Sequence, residues 1–177
     1  KYEYDFDSIE EFFKKIFSKE NLNQTKLKKL ESHVELSLKK LKKEKYPSKK
    51  KPYPTDYSIN SDSRKFLYYL CRILKPKNVI ETGVAYGISS SYILQALEDN
   101  EFGKLYSIDS IFRPWQTKEM IGSIIPKELR VRWQLVIGKS TEKLENILMK
   151  INDLDIFIND SSHTYENMMF EFNIIIK

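Results

Sequence analysis

A single cysteine, Cys71, gives this 177-residue chain no partner for an internal disulfide and no thiolate set for a structural zinc. It stands among Leu70, Ile73 and Leu74 and reads as a small core residue, not a nucleophile. That pattern points to a reducing, cytoplasmic setting. No apolar run approaches the roughly 20 residues that span a bilayer, so no membrane partner is expected. The opening Lys1-Tyr2-Glu3-Tyr4-Asp5 has no apolar stretch behind a basic start and does not read as a signal peptide. Internal repeats are lacking, and so is low-complexity sequence apart from one lysine cluster.

What is present supports a packed fold. Apolar residues make up 41% and aromatics 13%, enough for a buried core. The net charge of +5 is uneven: eleven lysines between Lys26 and Lys51 face only Glu31, Glu35 and Glu44, and the remainder of the chain is acidic by three. Such a cluster is either a solvated helix and linker or an attractor for phosphate and nucleic acid, and the first reading is preferred.

Residues 7 to 18 predict a short helix capped by Asp7 or Ser8, with Phe12, Phe13, Ile16 and Phe17 as its apolar side. A second helix is expected from Thr25 to about Lys45. Its stripe of Leu27, Leu30, Val34, Leu38 and Leu41 needs cover from the main domain or another subunit, so a homo-oligomer stays open. Prolines and lysines from Tyr46 to Pro54 read as a linker, which divides the chain into a helical extension (1–57) and a main domain (58–177). There a helix starts at Ser61 or Asp62 and ends at Lys75-Pro76. Strands are expected over Asn78–Thr82, Leu105–Asp109, Trp133–Ile137 and Asp155–Asn159, with helices over Ser89–Glu98, Thr141–Met149 and from Tyr165 onward. Within 111–130, Met120, Ile121, Ile124 and Ile125 suggest a further helix before Pro126. This alternation predicts an α/β, Rossmann-like parallel sheet of order 3-2-1-4 with helices on both faces. The apolar end, Asn173-Ile174-Ile175-Ile176-Lys177, carries no helix stop, and the first residue is not methionine. The expectation is a portion of a longer protein whose later strands would cover the fourth.

The chemistry gathers at Val79-Ile80-Glu81-Thr82-Gly83-Val84-Ala85-Tyr86-Gly87-Ile88-Ser89, between a predicted strand and a predicted helix. Gly83 permits a sharp turn and close approach of a ligand to the main chain. Gly87 leads into a helix start, whose N–H groups favour a carboxylate. Asp109 ends the second strand, 22 residues after Gly87, where a carboxylate can accept ribose hydroxyls. Glu81 would repel the pyrophosphate of a dinucleotide and welcome a cationic amino group, which favours S-adenosylmethionine over NAD.

The segments Ile80–Ser89 and Ser107-Ile108-Asp109 resemble the first two motifs of class I methyltransferases. Ile156-Phe157-Ile158-Asn159-Asp160-Ser161-Ser162-His163-Thr164-Tyr165-Glu166 resembles the motif after strand 4 in the cephalosporin hydroxylase-like and sugar or macrolide O-methyltransferases, distant relatives of the catechol and caffeoyl-CoA enzymes. The resemblance covers residues 58 to 172. It implies S-adenosylmethionine as cofactor, with Glu81 holding the methionine amino group, directly or through a water. Gly83, Ala85, Tyr86, Gly87 and Ser89 would form the loop around the methionine part. Asp109 would bind the ribose, Ser110 and Ile111 would flank the adenine, and Lys139 and Ser140 would edge it. It also implies Asp160 near the transferring methyl and His163 as general base, although a histidine at a helix start can equally serve as a cap. Metal-dependent relatives place an aspartate where this chain has Asn159, with Asp160 next, which leaves a divalent metal open. No Asn-Pro-Pro-Tyr motif is present, against methylation of exocyclic amino groups on bases.

The expectation is therefore O-methylation of a small molecule. The alternatives are a cofactor-binding or regulatory module without turnover, an RNA-associated methyltransferase using the lysine cluster, and, more distantly, a Rossmann dehydrogenase.

Overall fold

The central strand, β1 (Asn78–Thr82), is buried at all five positions, as a run without alternation requires when both faces of a sheet are covered. The structure, a computed structural model, describes residues 8–16, 24–56 and 58–176. β1 is flanked by β2 (Lys104–Asp109) and β4 (Ile156–Asn159), and β3 (Trp133–Ile137) lies outside β2. All pairings are parallel and the order is β3-β2-β1-β4. The predicted topology is the observed one, and strand bounds agree within one residue.

Alternation along the strands builds a separate core on each face. Val79 and Leu105 pack with α3 (Ser61–Leu74) and α4 (Ile88–Asp99), whereas Ile80 and Ile108 pack with α5 (Ser140–Ile151). The helix α6 (Tyr165–Ile175) joins the second face through Ile174 and Ile175. Right-handed crossovers account for this: β1 to β2 to β3 runs one way across the sheet, and the return from β3 to β4 places its helix on the opposite side. Among the described residues β4 pairs with β1 alone, and Phe157 meets Phe172 edge to face at 6.0 Å.

The N-terminal helices are α1 (Ile9–Ile16) and α2 (Gln24–Lys42). Ser8 and Glu11 cap α1 reciprocally, hydroxyl to amide and amide to carboxylate. The expectations for Asp7, for Phe17 and for the side chain of Ile16 lie outside the described residues. Leu27, Leu30, Val34 and Leu38 of α2 belong to the same apolar cluster as Val79 and Leu105, so the partner of the predicted stripe is the main domain. Lys26 reaches Asp99 at 3.0 Å, Arg64 reaches Glu35 at 2.8 Å, and the His33 Nε2 lies 2.8 Å from the carbonyl of Ile124.

The segment predicted as a linker is irregular and largely exposed over 46–51, and its end packs as a strap in which Pro52, Tyr53 and then Thr55 are buried, because the aromatic side chain finds a core position next to the loop after β1. One expectation is corrected. The helix expected before Pro126 does not form. In its place is a short 3-10 turn at Lys118–Met120, and a second one, Lys127–Arg132, follows Pro126. Gly122 has a positive φ of 66°, and the amides of Gly122 and Ile124 donate to the carbonyls of Ala85 and Tyr86 at 2.8 and 3.0 Å. Those bonds take the place of helical ones and stitch this segment under the glycine loop.

Candidate functional site

The loop from Gly83 to Gly87 is held in an unusual backbone course. Gly83 has φ 84°, and a β-carbon there would lie 1.9 Å from the carbonyl oxygen of Asp160, so only glycine allows the β1 and β4 ends to touch. The Asp160 amide donates to the Thr82 carbonyl at 2.8 Å. Ala85 also adopts a positive φ, 48°, which costs a non-glycine residue about 1 kcal/mol. Asp109 offsets that cost. Its Oδ2 accepts the amides of Val84 and Ala85 at 3.0 and 2.8 Å, and its Oδ1 accepts the amide of Ser110 at 2.6 Å. Burial raises the pKa of Asp109, partly countered by the Ala85, Ser110 and Val84 amides.

A cavity of about 890 Å³ opens at the C-terminal ends of the strands, where open α/β sheets place ligands. Of the residues predicted from sequence, Gly83, Ala85, Asp109, Ser110, Lys139, Ser140 and Asp160 line it together. Sequence reading missed Tyr53, Phe112, Ser161, Asn167 and Phe170, which share the wall. Phe112 lines the cavity, while Ile111, expected beside the adenine, does not. Periodic signals stop at the strand end, and nothing in the sequence distinguishes the two side chains.

Glu81 does not line the cavity. Its side chain is fully buried on the α4 side of the sheet, where Oε1 accepts the Ser89 hydroxyl at 2.5 Å and Oε2 those of Ser90 and Ser107 at 2.6 and 3.1 Å. A residue two before Gly83 on a central strand points into the sheet-helix interface, so Glu81 presents no charge to the cavity. Burial pushes its pKa up to about 7, against the three serine donors. Ser89 is thereby spent on Glu81. Tyr86 is 2% exposed and donates its hydroxyl to the Tyr53 carbonyl at 2.8 Å. Gly87 starts α4 at φ 76° with Ile125 and Gly122 against it. These four residues support the loop from behind.

At the β4 end, the Nε2 of His163 lies 3.5 Å from Oδ1 of Asp160, and both side chains are more than half exposed. Burial raises the pKa of Asp160 while His163 lowers it. His163 sits beside the cavity wall rather than in it. Behind this loop lies Glu171, buried and missed by sequence reading. It accepts the hydroxyls of Thr82 at 2.8 Å and Ser161 at 2.7 Å, the Asn167 amide at 2.9 Å, and the Asn159 amide. Among the described residues, no group of three or more His, Cys, Asp or Glu side chains is placed to hold a metal ion, and no helix is long and apolar enough to cross a membrane. The lysines lie elsewhere, with Lys39 and Lys42 lining a separate groove over α2.

Comparison with known proteins agrees with this architecture. A family model described as a methyltransferase domain matches residues 80–177. An O-methyltransferase from Bacillus cereus, in complex with S-adenosylhomocysteine (SAH), superposes with TM-score 0.59 at 14% identity, covering 95% of this chain and 66% of that one. An O-methyltransferase from Streptomyces achromogenes involved in tomaymycin synthesis, in complex with S-adenosylmethionine, gives 0.57 at 16% identity, covering 95% and 67%. A SAH-bound methyltransferase from Podospora anserina gives 0.50 at 15%, covering 89% and 65%. The chain thus spans about two thirds of the length of these structures. No curated protein matches the sequence.

Proposed function

The chain belongs to the methyltransferase-domain family whose model its residues 80–177 match, and on that premise we propose that it transfers a methyl group from S-adenosylmethionine to an oxygen of a small molecule. The observation that carries this reading is the cavity wall, in which the main chain of Gly83 and Ala85 meets a buried Asp109 and a half-exposed Asp160.

The residues present fit the cofactor. A carboxylate offers about four lone-pair directions. Backbone amides take three on Asp109, and the remaining one suits a ribose hydroxyl. Ser110 and Phe112 after β2, with Lys139 and Ser140 after β3, would border the adenine. The Gly83 and Ala85 main chain would border the amino-acid end, and the carboxylate of Asp160 suits the cationic sulfonium. When bound, the cofactor supplies an electrophilic methyl group.

The chain's own residues then position and deprotonate. Asp160 and its loop would hold the acceptor hydroxyl in line with the methyl group. His163 would take the hydroxyl proton. With Nε2–H turned to Asp160, Nδ1 carries the lone pair that accepts the proton. Discrimination against a dinucleotide falls to Asp160, since a ribose-binding carboxylate such as Asp109 serves either cofactor and Glu81 is turned inward.

Thermal melting with SAH and with NAD tests the reading. SAH at about 100 times its dissociation constant is expected to stabilise the fold by about 2.7 kcal/mol. Greater stabilisation by NAD would overturn it. A chain that binds SAH and transfers nothing to any hydroxyl acceptor would be a cofactor-binding module.

A further inference from the structure

After β2 the chain turns back on itself at Arg113-Pro114-Trp115-Gln116. The Gln116 amide donates to the Arg113 carbonyl at 3.0 Å, and Pro114, at the second position, supplies a backbone angle suited to such a turn. The Gln116 side chain folds back under the residues that precede it. Its Oε1 accepts the amides of Phe112 and Arg113, both at 2.9 Å. Two consecutive amides aimed at one oxygen have little freedom to rotate, so the backbone that carries Phe112 is fixed. On the outer side, the Arg113 guanidinium lies over the rings of Tyr46 and Trp115, 5.5 and 5.7 Å from their centroids. It also donates to the Tyr46 hydroxyl at 3.0 Å. The turn is therefore braced from beneath by Gln116 and from outside by Arg113.

Burial across this turn is the reverse of what the residue types alone would give. Gln116 is 6% exposed, whereas Phe112 is 74% exposed and lines the cavity at the strand ends. A single exposed phenylalanine is ordinary; a buried glutamine is not. Buried polar side chains are kept where they have partners, and the partners of this one are the amides of Phe112 and of the residue after it. A ring so exposed has little part in the core, so packing of Phe112 gives no reason for the support beneath it. What the support achieves is to keep an apolar ring open to the cavity in one place.

We propose that Gln116 is a positioning residue for cofactor binding, holding the Phe112 ring in the cavity wall so that it covers the base of the bound nucleoside. This rests on the reading of the cavity as a site for S-adenosylmethionine, in which Phe112 borders the adenine. An aromatic ring recognises the flat face of a base, and a ring fixed before the ligand arrives loses less freedom on binding. Gln116 does not line the cavity, and its effect on the ligand passes through Phe112. Tyr46, beyond the end of α2, extends the same brace to the N-terminal part of the chain through Arg113.

Calorimetric titration of SAH into the full chain tests the assignment, using wild type, Phe112→Ala, Gln116→Met and the double variant. Methionine resembles glutamine in length and offers the two amides no oxygen. Phe112→Ala is expected to weaken SAH binding about tenfold, and Gln116→Met about fivefold. In the Phe112→Ala background, Gln116→Met is expected to cause no further loss, because the ring it acts through is gone. A lower melting temperature with unchanged SAH affinity in Gln116→Met would make Gln116 a residue of the fold alone and overturns the proposal. The same fivefold loss in both backgrounds, or SAH binding indifferent to Phe112→Ala, also overturns it. Should Gln116→Met not fold, amide hydrogen exchange of the ligand-free wild type decides. The Phe112 and Arg113 amides are expected to be protected, and exchange as fast as in an open loop overturns the proposal. A wild type that does not bind SAH overturns the cofactor reading with it.

Discussion

The Oγ1 of Thr82 donates to Oε2 of Glu171 at 2.8 Å, and this bond ties the residue before Gly83 to the helix that follows β4. Glu171 also gathers Asn159, Ser161 and Asn167, so one buried carboxylate joins the ends of β1 and β4 to the loop carrying Asp160. Burial pushes its pKa up, but hydroxyl and amide donors outweigh that and hold it below the usual carboxylate value. Glu171→Ala would leave four donors without their acceptor and is expected to cost about 3 kcal/mol in urea denaturation. Because the folded pKa is depressed, the stabilisation is present above the unfolded pKa and is lost as pH falls through the folded one. A loss below about 0.5 kcal/mol, the range of neutral surface changes, would contradict the role given to Glu171.

Glu81 answers to pH in the opposite sense. Its pKa rises from 4.5 to about 7 on folding, first through burial and also through the charge of Asp160. The folded chain therefore binds this proton more readily than the unfolded chain. Its contribution is full below pH 4.5 and is lost as pH rises through about 7, on the order of 3 kcal/mol across that window. Glu81→Gln, which cannot ionise, is expected to flatten the decline in melting temperature between pH 5 and 8 relative to wild type. Parallel profiles for the two proteins would show that Glu81 does not titrate there.

These two glutamates also mark what the sequence could and could not disclose. The strand order and the meeting of the glycine loop with Asp109 were legible because apolar runs, turn glycines and strand-end carboxylates each leave a local sign. Glu81 was recognised as special, but its three serine partners were not legible, since the direction of a side chain on a central strand depends on which helix packs there. Glu171 left no sign, because an acid in mid-helix reads as a solvated position until β4 and the Ser161 loop close over it. Tyr53 was hidden by the prolines and lysines around it, which mimic a tether. The missing helix near Gly122 has the same origin: its amides are claimed by Ala85 and Tyr86, more than thirty residues earlier in the chain.

Substitution of His163 is expected to separate turnover from binding. It lies beside the cavity wall and is 65% exposed, so His163→Ala is expected to leave SAH affinity and melting temperature unchanged. Methyl transfer to a hydroxyl acceptor should fall by about 10²–10⁴-fold, the range of general-base contributions. An unchanged rate would return His163 to the role of a surface residue at a helix start and leave Asp160 to act without it.

The central claim is that the cavity between Asp109 and Asp160 holds S-adenosylmethionine, and calorimetric titration of wild type and Asp109→Asn with SAH and with NAD tests it most directly. On this reading Asp109 would receive the ligand; it also fastens the Val84 and Ala85 amides, and an asparagine offers a single acceptor oxygen in place of two. The wild type is expected to bind SAH in preference to NAD, and Asp109→Asn to weaken SAH binding by at least about tenfold, as lost charge-assisted bonds of about 1.5–3 kcal/mol require. Preference for NAD, or SAH binding indifferent to the substitution, would contradict the account.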